Sequence, residues 1–556
     1  MRATIVALLA ILIAPVAAFS QTLADRIPAD AQIYIGCKGS DDLGAGYANS
    51  HLKAVIDASQ FSQLFSDSIP RLVDSLTSGD EDAAQQARLV MNLAMSVLHH
   101  PTAIYFGGVD LPATGQPMPR IAILCDAGDD ATALSQKVSQ IISQAPQGTP
   151  LRLQTFGTLL VVATFDFPEH PSDPLAQNAQ FQDAMSHGLS DPVVAMYMDG
   201  AALLKTTDGL VEKFAPQQSA AMWPQIRDAL GLGGLKYAIG TDGFDGKNWG
   251  SRLFISAPGT RTGLFAPAAN VPLGQDFLSL IPMSATMAGG CSVDLSALFT
   301  QIDNGIQQIS PETANQFHQA LQQVSQMLGF DLQKDFLGAI GPQWGYYVDP
   351  ATAGAGALGL TIINQPRNPD RLQTSLTALE NIANVAVRQQ LANSTVKMTL
   401  EIRQFTSNGV TVHYLATPFI SPSWAIKDGR WYGALYPQII VAAINRQPDG
   451  KSILDNPGYQ AVIKELGAPS QFGGFQFNDL PQTMPQGYQA WLLLSRMYLG
   501  YGDLFGLQSP PMVVPTLDKL MSEAEPSGSV SWQDDSGFYV RSITPFPGAD
   551  ALGASW

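Results

Sequence analysis

The stretch Ile27-Pro28-Ala29-Asp30-Ala31-Gln32-Ile33-Tyr34-Ile35-Gly36-Cys37 returns as Ile281-Pro282-Met283-Ser284-Ala285-Thr286-Met287-Ala288-Gly289-Gly290-Cys291, 254 positions later (281 − 27) and without a gap. Ile, Pro, Ala, Gly and Cys recur in register, so each copy reads as the opening strand of one half of a duplicated chain. Further matches follow in the same order. Pro342–Tyr347 aligns with the strand from Pro101 at an offset of 241, Tyr197-Met198-Asp199 with Phe477-Asn478-Asp479 at 280, and Pro258-Gly259 with Pro547-Gly548 at 289. The fall from 254 to 241 shortens the helical connection before Pro342, and the rise to 280 places extra residues in the second copy, around Val396 to Leu435. A chain of 556 residues is too long for one ordinary core, and the repeat favours two large domains.

Strands and helices alternate irregularly in each half. Apolar residues at helical spacing, such as Leu52, Val55 and Ile56 or Leu89, Val90, Leu93 and Val97, mark helices in Asn49–Leu76 and Glu81–Leu98. Strands follow at Pro101–Phe106 and Arg120–Asp126, then a helix at Ala131–Ser143 and a hairpin around Phe156-Gly157. The first half closes with helix Leu175–Ser186, strand Val193–Met198, helix Ser219–Leu230 and a hairpin of Leu235–Thr241 with Ser251–Ser256. Hairpins without strict β-α alternation give the class α+β: two tandem copies of a mixed domain, each a mainly antiparallel sheet with helices packed on one side. The divisions expected are a signal peptide at 1–20, a first repeat at 21–265 and a second at 266–556.

The signal peptide is read from Met1-Arg2, an apolar run from Ala3 to Ala18 broken by Pro15, and small residues after it. Cleavage after Ala18 or after Ser20 fits equally. The run is shorter than the about 20 residues that span a bilayer. The mature chain is therefore expected to be soluble and exported, periplasmic or extracellular. A net charge of −17 and a pI near 4.7 supply no field for phosphate backbones, which argues against nucleic acid as a partner.

No motif specifies a reaction. Gly354-Ala355-Gly356-Ala357-Leu358-Gly359 has the letters of a dinucleotide fingerprint, but a β run, Leu360–Ile363, follows it where a helix is required. Asp242-Gly243-Phe244-Asp245-Gly246-Lys247-Asn248 resembles a calcium loop without its terminal Glu, and its Asp-Gly steps suit a hairpin turn. The histidines, at 51, 99, 100, 170, 187, 318 and 413, lack zinc-ligand spacing. His99-His100 closes a helix, where cationic side chains suit the helix dipole. Cys37 and Cys125 share strand parity with apolar neighbours, and Cys291 matches Cys37, so all three thiols are expected to be buried; a Cys37–Cys291 bridge is the alternative. Trp424, Trp431 and Trp491 with Tyr346, Tyr347, Tyr432 and Tyr436 enrich the second half in amphipathic aromatics, expected at core margins ahead of a ligand groove. No catalytic, cofactor-binding or metal residue is assigned, and no cofactor.

Three segments carry a family resemblance: Ile27–Ala31 with its strand, Leu328-Gly329-Phe330-Asp331-Leu332 through Ile340-Gly341, and Trp424-Ala425-Ile426-Lys427-Asp428-Gly429. With them the chain resembles an uncharacterised family of exported bacterial proteins, a domain of unknown function common in planctomycetes. The resemblance brings no functional residues with it. The expected function is that of a non-catalytic binding or scaffolding protein of the cell envelope, with an unknown protein or envelope component as partner. An extracytoplasmic hydrolase working in a cleft between the halves, and a carrier of apolar ligands, are the alternatives.

Overall fold

The computed structural model describes residues 23–553 except 65–80, 113–115, 144–149, 260, 264–265, 267–270, 355, 393–399, 418, 447–450 and 505–510. The expected signal peptide, 1–20, lies outside the described residues. Among the described residues eighteen strands form one sheet, and each ladder in it is antiparallel. The first set comprises β1 (Ile33–Cys37), β2 (Thr102–Asp110), β3 (Met118–Asp126), β4 (Arg152–Phe156), β5 (Leu159–Ala163), β6 (Val194–Asp199), β7 (Tyr237–Asp245) and β8 (Asn248–Ser256). The second comprises β9 (Met287–Ser292), β10 (Gln343–Val348), β11 (Leu360–Asn364), β12 (Ile402–Ser407), β13 (Val410–Leu415), β14 (Ser423–Lys427), β15 (Arg430–Ala434), β16 (Gly474–Asn478), β17 (Ser527–Gln533) and β18 (Gly537–Thr544).

In space the first set runs β4-β5-β3-β2-β1-β6-β7-β8. The second runs β12-β13-β14-β15-β11-β10-β9-β16-β17-β18. Apart from the additional hairpin β12–β13, the two orders are the same. Pairing of β8 with β18 joins them.

Tyr34 decides which face of the first set goes inward. It stands opposite both Tyr105 and Tyr197, and all three are fully buried. Tyr105 donates to Asp30 Oδ1 at 2.7 Å, and Tyr197 accepts from Gln180 Nε2 at 2.7 Å. The Tyr34 ring lies over Gly36, where a Cβ would come within 1.9 Å of the phenolic oxygen, so only glycine fits there. Helix α4 (Ala179–Ser186) closes this face by setting Phe181 edge-on against Tyr34 and Tyr197 at 5.5 and 5.2 Å. Each such ring contributes roughly 1.5–3 kcal/mol through burial. In the second set Ala288 opposes Tyr347 and Phe477, and Tyr459 of α10 (Pro457–Glu465) meets Phe477 at 5.9 Å.

Helices pack on both faces of the sheet, where one was expected. Cys125 and Leu160 point away from the tyrosine row and are covered by Leu93 of α2 (Glu81–Val97) and Leu134 of α3 (Ala131–Ser143). The physical reason is visible in β5, Leu159-Leu160-Val161-Val162-Ala163: a strand apolar at every position needs cover on both sides. The thiols divide accordingly. Cys125 is buried and Cys37 half-buried, but Cys291 is exposed, and all three are free. The parity that Cys37 shares with Ile33 and Ile35 belongs to the face opposite Tyr34, which in β9 opens to solvent.

The pairings also correct one alignment. Cys37 opposes Thr102 while Cys291 opposes Trp344, so β2 and β10 correspond at an offset of 242 (344 − 102), one more than the alignment through Pro101. A slip of one residue exchanges the two faces. With it corrected, Tyr105 corresponds to Tyr347, and both are core residues.

Six further helices flank the sheet: α5 (Gly200–Phe214), α6 (Gln217–Ala229), α7 (Leu295–Ile309), α8 (Pro311–Leu328), α9 (Pro369–Ala392) and α11 (Leu480–Leu504). Helix packing is among the further contacts that tie the strand sets together beside the β8–β18 ladder. Helix α6 packs on α7, and Leu52 and Val55 of α1 (His51–Asp57) pack against Leu480 and Met484 of α11 and Leu520 of α12 (Leu517–Ser522).

Candidate functional site

On the face opposite Tyr34, the ladders line up two rows of side chains across the second strand set. The first runs Val540, Ser531, Gly474, Cys291, Trp344. The second runs Ser529, Gln476, Gly289, Tyr346, Ile362, Gly433, Trp424, His413. Small residues in β16 and β9 lower the floor, and Trp344, Tyr346 and Ile362 form its wall. The result is a groove of about 670 Å³, which shares Leu360 and Ile362 with a neighbouring one of about 280 Å³ under Trp424 and Trp431.

Glycine shapes the aromatic wall. A Cβ at Gly433 would come within 2.4 Å of the Trp431 ring, and one at Gly289 within 2.5 Å of the Tyr346 ring, so both rings lie flat over bare backbone. Trp344 meets Trp431 edge-on at 6.5 Å. Trp424 stacks on His413 at 5.5 Å with 9° between the planes, and His413 Nδ1 lies 2.8 Å from Glu380 Oε1 beneath α9. The apolar strip extends across β8 and β18 to Leu253 and Met196, which with Val540 are 37–47% exposed. Surfaces of aromatic and small residues at this depth bind by apolar contact and stacking.

Although the residue is exposed, partial desolvation by its neighbours raises the Cys291 thiol above its ordinary range, which lowers its thiolate fraction. Among the described residues no group of three or more His, Cys, Asp or Glu side chains is arranged to hold a metal ion, and no helix is long and apolar enough to cross a membrane. Ser40, His99 and Asp41 come together, but Ser40 Oγ and Asp41 Oδ1 both bond the same ring atom, His99 Nδ1, at 3.0 and 2.9 Å. A base that takes a proton from a hydroxyl needs its two nitrogens used separately. At the boundary between the halves the β8–β18 ladder continues the sheet; His187 stacks on Phe254 of that ladder at 3.9 Å, and His51 pairs with Glu523 at 2.8 Å.

The other sequence candidates take structural places. Gly356–Gly359 leads through a short 3₁₀ turn into β11, so its amides do not open a helix; Ala355 lies outside the described residues. Asp242–Asn248 is the β7–β8 hairpin with Gly246 at φ 66°, its carboxylates engaged by Ser251 and Arg252. His99 and His100 sit past the end of α2 and take carboxylate partners, Asp41 and Asp130. Of the seven aromatics, Trp424, Trp431 and Tyr346 line the grooves, while Tyr347 and Tyr432 pack in the core. Trp491 donates to Ala551 O at 2.5 Å and Tyr436 to Phe419 O at 2.8 Å. Sequence reasoning did not single out Trp344, Gly474 and Gln476, and it placed Cys291 in the core, whereas the residue is exposed. The signal for them was the run Met287-Ala288-Gly289-Gly290-Cys291-Ser292, too small in side chains to cover both faces of a strand.

Residues 269–499 match the family model described as Protein of unknown function (DUF3352). No curated protein and no solved structure matches the chain. The DUF3352 domain begins ahead of β9 and ends within α11, so it holds every aromatic of the two grooves and leaves out Ser529, Ser531 and Val540 on β17 and β18. Two of the three resemblance segments, Leu328–Gly341 and Trp424–Gly429, fall inside the DUF3352 match, and Ile27–Ala31 falls before it.

Proposed function

We propose that the chain is an exported, non-catalytic binding protein made of two copies of one α+β unit, residues 21–265 and 266–556, with 1–20 removed as a signal peptide. The aromatic groove of the second copy is its binding face. The observation that carries this reading is the pair of cross-strand rows in which Trp344, Tyr346 and Ile362 stand over Gly289, Gly474 and Cys291 on a solvent-facing side of the sheet. The shared strand order of the two sets supports the duplication. The groove is open along the sheet, which favours a flat apolar or aromatic ligand, or an apolar segment of an envelope partner, over a small molecule enclosed in a cavity.

The test is a native mass spectrum of the protein purified from its own host, read together with alkylation of Cys291. The reading expects a polypeptide mass beginning at Phe19 or Gln21, an excess mass retained under gentle ionisation, and Cys291 labelling slowed by the ligand. Trp344→Ala should reduce the retained fraction about tenfold, the scale of losing one buried aromatic contact of about 1.4 kcal/mol. A bare chain whose Cys291 is alkylated equally fast with and without host extract would overturn the binding face, and a mass that retains Met1 would overturn export.

A further inference from the structure

The seam between the two strand sets has a second, charged face. We propose that Arg252 and Arg541, meeting there from β8 and β18, bind a carboxylate or phosphate group of a ligand. The antiparallel ladder places Arg252 directly opposite Arg541, on the side away from Leu253 and Val540. They are 289 positions apart (541 − 252), the offset at which the ends of the two halves align, so equivalent residues of the two halves face each other across a local two-fold relation.

Each guanidinium is fixed by an equivalent bond. Arg252 Nη1 donates to Gly188 O just past α4, and Arg541 Nη1 donates to Leu466 O just past α10, both at 3.1 Å. These bonds hold both charges at the seam and leave further N–H groups of each fork for another acceptor. Arg252 also donates to Asp245 Oδ2 at 3.3 Å, and the same carboxylate acts on Arg541.

Like charges directly opposite in a ladder are destabilising. Burial and then the charge of Arg252 hold Arg541 below the usual arginine range. The nearby Asp534 carboxylate is occupied by the backbone N–H groups of Ser536 and Gly537 at 2.8 and 3.2 Å. Beside the pair, Arg541 lies over Trp532 at 5.1 Å and Trp532 stacks on Tyr539 at 4.9 Å, a flat shelf for the body of a ligand whose anionic group meets the forks. The Arg252 side chain is 32% exposed, so an anion can reach the pair from solvent. In a chain of net charge −17, a site of two paired forks selects an oxyanion by geometry as well as by charge.

Calorimetric titration of the full chain with sodium phosphate and, separately, sodium acetate, against sodium chloride at matched ionic strength, tests the site. Saturable binding of either anion is expected, with phosphate alone pointing to a phosphorylated ligand, acetate alone to a carboxylate, and both to the shared oxyanion chemistry. Arg541→Gln and Arg252→Gln should each weaken it at least tenfold, and Arg541→Lys less. Binding no tighter than chloride, or binding undiminished in the Gln variants, overturns the proposal. Arg252→Gln alone decides the matter if Arg541→Gln does not fold.

Discussion

The most informative single residues are those whose two strand neighbours are known. Tyr34 is buried because Tyr105 and Tyr197 flank it and Gly36 makes room for its ring. Cys125, on the other face, carries a measurable consequence. Burial pushes its thiol up to about 12, against about 8.5 in an unfolded chain. Between those values the unfolded chain releases a proton that the folded one keeps, so stability is full below about pH 8.5 and falls as pH rises through the window. The slope is about 1.4 kcal/mol per pH unit from this group. Urea unfolding midpoints at pH 8, 9 and 10 should show Cys125→Ala with a shallower alkaline loss than the parent; an equal slope would mean that the thiol ionises freely in the folded state. The burial of Cys125 was legible in the sequence from its apolar parity. The exposure of Cys291 was not, because its strand neighbours Gly474 and Trp344 lie 183 and 53 residues away (474 − 291, 344 − 291) and only the ladder brings them beside it.

At the scale of elements, the segments that were legible are those where local chemistry fixes the shape. The hairpins at Gly157 and Gly246 were read from their turn residues, and α2 from its periodicity. Helices α5, α7, α8 and α11 were not read, although α7 and α8 carry apolar stripes and both N-caps, Asp294 and Ser310, bond their first turns. Helices α5, α7 and α11 start within three residues of a strand, whose apolar run hides the change of period, and α8 follows α7 across the single residue Ser310. The register of β10 was missed by one residue because Pro342 resembles Pro101, whereas the facing partners fix the offset. The caps of α4 and α10 offer a matched pair of measurements. Asn178 accepts from Phe181 N at 3.1 Å and donates to Ala29 O, while Asn456 accepts from Tyr459 N at 3.0 Å and donates to Met283 O. Replacing either by Ala should cost about 1–2 kcal/mol, and by similar amounts, since each loses a cap and a tie to its opening segment. Chemical denaturation of the two variants checks this; a large difference would show that the two segments are held in different ways.

For the whole molecule, eighteen strands side by side, at about 4.8 Å each, make a sheet on the order of 80 Å across before twist. Small-angle scattering should therefore give a radius of gyration clearly above the about 24 Å expected for a compact chain of this length. A value near that figure would mean that the β8–β18 ladder bends the two strand sets onto each other in solution. The α+β class was legible from hairpins without strict alternation, but the joining of the two sets was not. β8 and β18 carry ordinary alternating patterns, and nothing in either names the other as its neighbour.

That joining also governs solubility. Two separate sheets would leave four outer strands with unpaired backbone N–H and C=O groups, each a template onto which another chain can add. Uniting β8 with β18 hides two of them, and the borders left are β4 and β12. At β4, Gln154 is turned back to bond the backbone N–H and C=O of Phe167, and α3 packs alongside. At β12, Arg403 stands on the strand and Asn384 of α9 holds both the N–H and C=O of Ile402. The chain thus uses the β8–β18 ladder to conceal two of its own most adhesive surfaces, leaving borders that neighbouring side chains and helices already blunt.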